Sequence, residues 1–320
     1  MKVLITGGAG FIGSNLAKRL SSKNHEVVVV DNLSFGHVEN LEDLPIRFIN
    51  LDICHRLMRE VVKETDIVFH FAGYSSLPYC EQHKLDALRV NVQGTVNILE
   101  AVANSKIKVV FASTNAIYEN ATTFPTPETD ISKPDLCYAT TKLMAEMMCN
   151  NYANLTDMDV CSLRFHNIFG HHQDVSRASP PLIPYMLEEL KNDRCPTFYG
   201  DGRQCRDYVY IDDALDLCEL LMTTQKTRGV FNCCTGYSAS VNEMYEWAQK
   251  LMNKPALSPI RKPIEEYWEK FNLDLPKKRI TKEVIKFSKG DPSKTKRELG
   301  WIAKHSWAEG LRKMIELPDV

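Results

Sequence analysis

Tyr138 and Lys142 stand four residues apart in a stretch that reads as helix, so their side chains project from one face. A lysine ammonium beside a phenol stabilises the phenolate and lowers its pKa. That makes Tyr138 a general base for a hydroxyl proton near neutral pH. Thr114 closes the apolar run Val109-Val110-Phe111-Ala112-Ser113-Thr114, which reads as a buried strand. At the carboxyl end of such a strand its hydroxyl can hydrogen-bond the same substrate oxygen as Tyr138. Tyr-x-x-x-Lys alone is common on surface helices, so its weight depends on what precedes it.

What precedes it is a strand, turn, helix and strand that suit a dinucleotide. Residues 2–6 are a short apolar run of the kind buried in a parallel sheet, and Gly7-Gly8-Ala9-Gly10-Phe11-Ile12-Gly13 follows without a spacer. A helical pattern comes next, then Val27-Val28-Val29-Val30, ending on Asp31. The glycines let backbone approach a pyrophosphate, and the helix N-terminus offers free N–H groups and partial positive charge. Asp31 would accept both hydroxyls of an adenosine ribose and repel a 2′-phosphate, which favours NAD over NADP. Further strands are expected at 46–52, 67–71 and 159–164, and helices at 57–62, 85–104 and 138–152. Asp52 is placed to meet the adenine. Ala72-Gly73 permits close approach of the cofactor ribose and nicotinamide. Strand–helix alternation through residue 165 implies an α/β fold with a parallel sheet covered on both faces.

The 320 residues suffice for one large or two modest domains, and 44% hydrophobic with 25% charged is an ordinary globular composition. A net charge of −2 offers no reason to expect nucleic acid or an anionic membrane. No apolar run approaches a transmembrane length, and the chain opens directly on a strand, which speaks against a signal peptide. The ten cysteines form no C-x-x-C pair and read as reduced core thiols of a cytosolic protein. His171-His172 has no suitably spaced partner acid or cysteine and reads as solvated loop, so no metal is expected. Met144, Met147 and Met148 read as core or as a helix–helix interface opposite the Tyr138 face. Lys277-Lys278-Arg279 reads as a solvated turn, and 255–276 has no readable period.

The joint pattern resembles the extended short-chain dehydrogenase/reductase family. The residues that carry the resemblance are 6–14, Asp31-Asn32-Leu33-Ser34, Asn91-Val92-Gln93-Gly94-Thr95 and Tyr138-Ala139-Thr140-Thr141-Lys142. Gly200-Asp201-Gly202-Arg203-Gln204-Cys205-Arg206-Asp207-Tyr208-Val209 and Arg297-Glu298-Leu299-Gly300-Trp301 are similar to its nucleotide-sugar branch. The resemblance implies a Rossmann-type doubly wound parallel sheet with a smaller α/β C-terminal substrate domain. Residues 1–165 would bind NAD, 166–320 would mainly bind a nucleoside diphosphate sugar, and about 205–235 would interleave with the first part. It implies Thr114, Tyr138 and Lys142 as the catalytic group. Gly7, Gly10, Phe11, Ile12 and Gly13 would hold the pyrophosphate, Asp31 and Asn32 the ribose, and Asp52 and Ile53 the adenine. Phe71, Ala72, Gly73 and Asn91, with Tyr138 and Lys142, would line the rest of the cofactor. Thr114, Asn167 and Arg206 would contact the substrate, the last two at its diphosphate. The helices at 85–104 and 138–152 would pair with a second copy into a four-helix homodimer interface.

The departures from that pattern narrow the chemistry. Dehydratases of this branch place Asp-Glu after the strand-end threonine; here Asn115-Ala116 follows Thr114. The decarboxylases use a Glu in this region, and none adjoins Thr114. A C4 epimerase of a UDP-hexose, passing through a 4-keto sugar, needs no such acid. Glu119 takes the place of a usual glycine, Leu136-Cys137 replace small or proline residues, and Arg279 is the match for a late arginine near the diphosphate. A dehydratase, decarboxylase or reductase on the same sugars is the alternative within the family. A non-catalytic nucleotide sensor or scaffold is the alternative outside it, though binding alone would not need an activated phenol.

Overall fold

The computed structural model describes residues 1–317 apart from 132, 226, 255–256, 277–278 and 280–285. The first half runs β1 (Lys2–Thr6), α1 (Phe11–Ser22), β2 (Glu26–Asp31), β3 (Arg47–Asn50), α2 (Met58–Val62), β4 (Ile67–His70), α3 (Leu77–Gln82), α4 (Lys84–Leu88), α5 (Gly94–Val102), β5 (Lys108–Thr114), α6 (Cys137–Leu155) and β6 (Val160–Phe165). The second half runs β7 (Asn167–Phe169), α7 (Leu182–Lys191), β8 (Thr197–Tyr199), β9 (Cys205–Tyr210), α8 (Ile211–Thr223), β10 (Gly229–Cys233), β11 (Ser238–Ser240), α9 (Val241–Leu251), β12 (Ile260–Lys262), α10 (Ile264–Glu269), α11 (Ser293–Leu299) and α12 (Trp307–Glu316).

Seven strands form one parallel sheet in the order β10-β6-β5-β4-β1-β2-β3. Alternate residues of β1 and β2 feed opposite cores. Val3, Ile5, Val27 and Val29 pack with Leu16 and Leu20 of α1 and Leu217 and Leu221 of α8. Leu4, Val28 and Val30 pack with Ile98 and Leu99 of α5 and Ala145 and Cys149 of α6. Both faces are covered, which is why these strands read as unbroken apolar runs. The order reverses at β1, between β2 and β4, and the glycine turn emerges at that switch point.

Later segments build two small sheets, β11-β9-β7 and β12-β8. β10 returns to the edge of the main sheet beside β6. Part of the unreadable 255–276 stretch folds as β12 and α10, and Trp268 is fully buried there. Of the ten cysteine thiols, all free, Cys80, Cys149, Cys161, Cys218, Cys233 and Cys234 are buried. Cys54, Cys137, Cys195 and Cys205 are only half-buried, so the core reading fits six positions.

The single helix expected at 85–104 is interrupted. Residues Arg89–Gln93 form a π turn between α4 and α5. Periodicity cannot reveal such a turn, because the apolar pattern continues through it.

Within α1, Gly13 lies against the turn it follows: a Cβ there would sit 2.3 Å from Gly7 O and 2.7 Å from Gly8 Cα. In an open helix, Gly→Ala gains up to about 1 kcal/mol. Here the obstruction is backbone, so Gly13→Ala is expected to destabilise by about 1–3 kcal/mol and lower the thermal midpoint by several degrees. Differential scanning calorimetry checks the sign.

Candidate active site

A cleft of about 580 Å³ opens at the carboxyl ends of the main-sheet strands. Of the residues predicted to bind cofactor or substrate, all but Asn91 line it. The sheet thus gathers Gly7, Asp31, Asp52, Ala72 and Thr114, which are up to 107 positions apart in sequence, at one edge. Asn167 and Arg206 line both this cleft and a second cavity of about 490 Å³.

Thr114 ends β5 in extended conformation and caps the 3-10 turn that follows, its Oγ1 accepting from Ala116 N at 3.1 Å. The capped oxygen leaves the hydroxyl hydrogen to donate, and that hydroxyl acts on the neighbouring Tyr138 phenol, favouring its ionised form. Tyr138, in the first turn of α6, is half-buried by surface yet deep in the cleft. Burial there pushes its pKa up to about 12, against the pull of Thr114 and of Arg177. From the sequence this pKa is expected to be lowered; burial raises it instead. Lys142 is itself buried, its Nζ 4.4 Å from the centre of the Phe111 ring, and burial lowers its pKa to about 8.

Asn91 acts from behind the cleft. It is buried in the π turn, where its Oδ1 accepts from Tyr74 N at 2.7 Å and its Nδ2 donates to Tyr74 O at 3.1 Å. The same Nδ2 donates to Thr141 Oγ1 at 3.0 Å, and Thr141 Oγ1 donates to Tyr138 O at 2.9 Å. One amide therefore couples the loop after β4 to the first turn of α6. The freed Asn91 carbonyl accepts from Thr95 Oγ1 at 2.7 Å. His70 lies 3.0 Å from that hydroxyl by Nε2 and 2.7 Å from Thr6 Oγ1 by Nδ1. Burial, then the charge of Lys142, lowers the His70 pKa to about 3, so it is neutral. With the Thr95 hydrogen committed, His70 donates from Nε2 and accepts at Nδ1.

Asp31 braces the loops it closes: Oδ2 accepts from Ala9 N at 3.1 Å and Oδ1 from Leu33 N at 2.8 Å. Asp52 pairs with Arg89 of the π turn at 3.2 Å.

Arg279 is a correction. It is not in a solvated turn and does not line the cleft; it is buried against Glu119 at 2.9 Å. Glu119 draws it inward, because each buried charge needs its counter-ion. Lys277 and Lys278 lie outside the described residues. His171 is half-buried and His172 is exposed, and the latter lines the cleft. No group of three or more potential metal-ligating side chains occurs among the described residues. Met144 and Met147 of α6 are 41% and 61% exposed, so they belong to a surface, while Met148 packs on the core.

Sequence reasoning missed Lys286, Arg177, Phe35 and Tyr74, which also line the cleft. Lys286 O accepts from Arg206 Nη1 at 2.7 Å, joining two distant segments. Phe35 and Tyr74 meet edge-on at 5.2 Å across the cleft mouth. Nothing in the local spacing of these four signals their convergence.

The arrangement is that of an extended short-chain dehydrogenase/reductase. Residues 3–234 match the NAD dependent epimerase/dehydratase family, and the chain belongs to it. A UDP-glucose 4-epimerase from Thermotoga maritima, solved with UDP-glucose, is 32% identical with a TM-score of 0.86, covering 99% of this chain and 98% of that one. A UDP-N-acetylglucosamine 4-epimerase from Methanobrevibacter ruminantium, in complex with UDP-N-acetylmuramic acid, is 26% identical with a TM-score of 0.88, over 98% and 97% of the two chains. A UDP-N-acetyl-alpha-D-glucosaminuronate decarboxylase from Bacillus cytotoxicus is 29% identical over 98% of this chain and 97% of its own. Relatives of one fold thus catalyse different reactions, and the family alone does not choose between them.

The buried ammonium has a cost in stability that depends on pH. With its pKa lowered from 10.5 to about 8, Lys142 binds fewer protons folded than unfolded between those values, so its contribution to stability rises with pH there. Below about pH 8 the full penalty is present. Lys142→Met should stabilise the cofactor-free protein at pH 7 by about 1–4 kcal/mol and flatten the rise above pH 8. Guanidinium midpoints measured from pH 7 to 10 check both.

Proposed function

We propose that this protein is an NAD-dependent nucleotide-sugar epimerase, inverting C4 of a UDP-hexose through a 4-keto sugar. The observation that carries the reading is the Thr114, Tyr138 and Lys142 set in a cleft where, among the described residues, no carboxylate stands beside it. The acids among the described lining residues are Asp31, Asp52 and Asp174, and Glu119 is committed to Arg279. Elimination of water or loss of a carboxylate would call for an acid near Thr114, whereas inversion at C4 needs none.

The residues present fit the cofactor. A Cβ on Gly10 would meet only Gly7 O, at 3.2 Å, and otherwise project into the cleft. Bare backbone there, at the start of α1, suits a pyrophosphate. Asp31 is already oriented for a ribose, and Lys142 would hold the second ribose. NAD, when bound, supplies the hydride acceptor and donor at C4 and brings a positively charged ring into the cleft.

Tyr138 removes the C4 hydroxyl proton and later returns it, while Thr114 orients the oxygen. Asn167 and Arg206 hold the diphosphate where the two cavities join, and the second cavity takes the base. Anchored there, the keto sugar can turn and present its other face.

The same reading includes a homodimer. Leu85 and Leu88 of α4 and Met144 and Met147 of α6 are exposed on neighbouring helices. A patch of that kind suits a second copy. Light scattering at micromolar concentration should return twice the chain mass, and a monomer would remove this part of the proposal.

For the chemistry, UDP-glucose and UDP-galactose are incubated with the purified protein and followed by chromatography and mass spectrometry. Interconversion at unchanged mass is expected; loss of water or of carbon dioxide from any accepted sugar nucleotide would defeat the epimerase reading. Tyr138→Phe keeps the ring but not the proton acceptor, so kcat should fall roughly 10²–10⁴-fold with substrate binding little changed.

A further inference from the structure

Arg177 lies in the loop between β7 and α7 and lines the catalytic cleft, half-buried. Neither a hydrogen bond nor an ion pair engages its side chain among the described residues. Among the described residues, the acids that line the cleft are all committed elsewhere. Asp174, three residues earlier in the same loop, lies 3.1 Å from His37 and accepts from Ser176 N and Oγ at 2.8 and 2.6 Å. Asp31 is held by backbone amides and Asp52 by Arg89. An arginine so placed demands an anion, because a partly desolvated guanidinium without one is costly.

The reading above assigns anions to the other cations. The diphosphate belongs at the junction of the two cavities, which Arg206 lines and Arg177 does not. The cofactor pyrophosphate belongs on the glycine loop. Arg177 sits instead on the catalytic side, close enough for its charge to act on the Tyr138 hydroxyl. A neutral hexose offers only hydroxyls there. A carboxylate on the sugar would accept two parallel N–H bonds from the planar guanidinium, a geometry lysine cannot supply.

We infer that Arg177 binds a carboxylate carried by the sugar, so that the site takes acidic sugar nucleotides, of the uronic acid kind, in preference to neutral hexoses. The inference rests on the nucleotide-sugar epimerase reading and names the substrate class for it.

The test compares UDP-glucuronic and UDP-galacturonic acid with UDP-glucose and UDP-galactose, by calorimetric affinity and by turnover, in the NAD-loaded protein. The uronates should bind at least roughly tenfold more tightly. Arg177→Gln should erase that preference, and Arg177→Lys should restore only part of it, since the charge returns without the fork. Equal or tighter binding of the neutral hexoses by the unaltered protein would overturn this inference and leave the epimerase reading standing. So would an Arg177→Gln variant that weakens both classes equally, which would make Arg177 a diphosphate contact. Uronates bound but decarboxylated would support Arg177 as the carboxylate reader while removing the epimerase assignment. Absence of binding to all four nucleotides would remove both.

Discussion

The interaction on which the cleft depends lies beneath it, in a buried fork between Glu146 of α6 and Arg164 of β6. Arg164 Nε and Nη2 reach the two carboxylate oxygens at 3.0 and 2.6 Å. Ser113, next to Thr114, donates to the same carboxylate at 2.7 Å. Arg164 continues to the Tyr118 hydroxyl at 2.7 Å, which donates to Asn232 of β10 at 2.8 Å. Glu146 is one helical turn beyond Lys142, so this fork fixes how α6 seats on the sheet. It thereby sets where Tyr138 meets Thr114. Both side chains are only 3% exposed. Removing either would strand a charge in the core, which commonly costs about 3–5 kcal/mol.

The polar groups of the cleft are braced by the protein's own backbone and side chains. Asp31 is oriented by the amides of Ala9 and Leu33, the Thr114 hydroxyl by the turn it caps, and His70, neutral through burial, by two threonines. Fixed donors and acceptors of this kind need little rearrangement when a reaction begins. Lys142 is the exception, a charge held where an apolar side chain would be more stable. Such strain is characteristic of a functional position.

The sequence was most legible where structure is local. β1, the glycine turn, α1, β2 and Asp31 are contiguous, and each has its own signature. Tyr138 and Lys142 were legible because one helical turn fixes their relation. Thr114 was legible because it ends a recognisable strand. The rest depends on distant pairing. The small β7-β9-β11 sheet brings Asn167 and Arg206 together, yet each of its strands is too short for a period. Arg177 and Lys286 reach the cleft from irregular segments more than 100 residues apart. Arg279 was misplaced because its fate was decided by Glu119, 160 positions earlier. Asn91 was expected to line the cofactor but does not line the cleft; its route through Tyr74 and Thr141 required the turn to be seen.

That turn has a geometrical effect on the whole helical rod. Leu88 and Leu99 would stand about 20° apart around an unbroken α-helix, on one face. Yet Leu88 is 41% exposed while Leu99 is fully buried. The wide turn between them acts as a phase slip, rotating everything downstream by about one residue's share of a turn, roughly 100°. The rod can then present one greasy stripe outward over α4 and another inward over α5. The two stripes can change independently of each other. The residue at the slip, Asn91, is the one whose amide reaches Thr141 of α6, so the outward stripe of α4 and the seating of the Tyr138 turn are geared through a single residue.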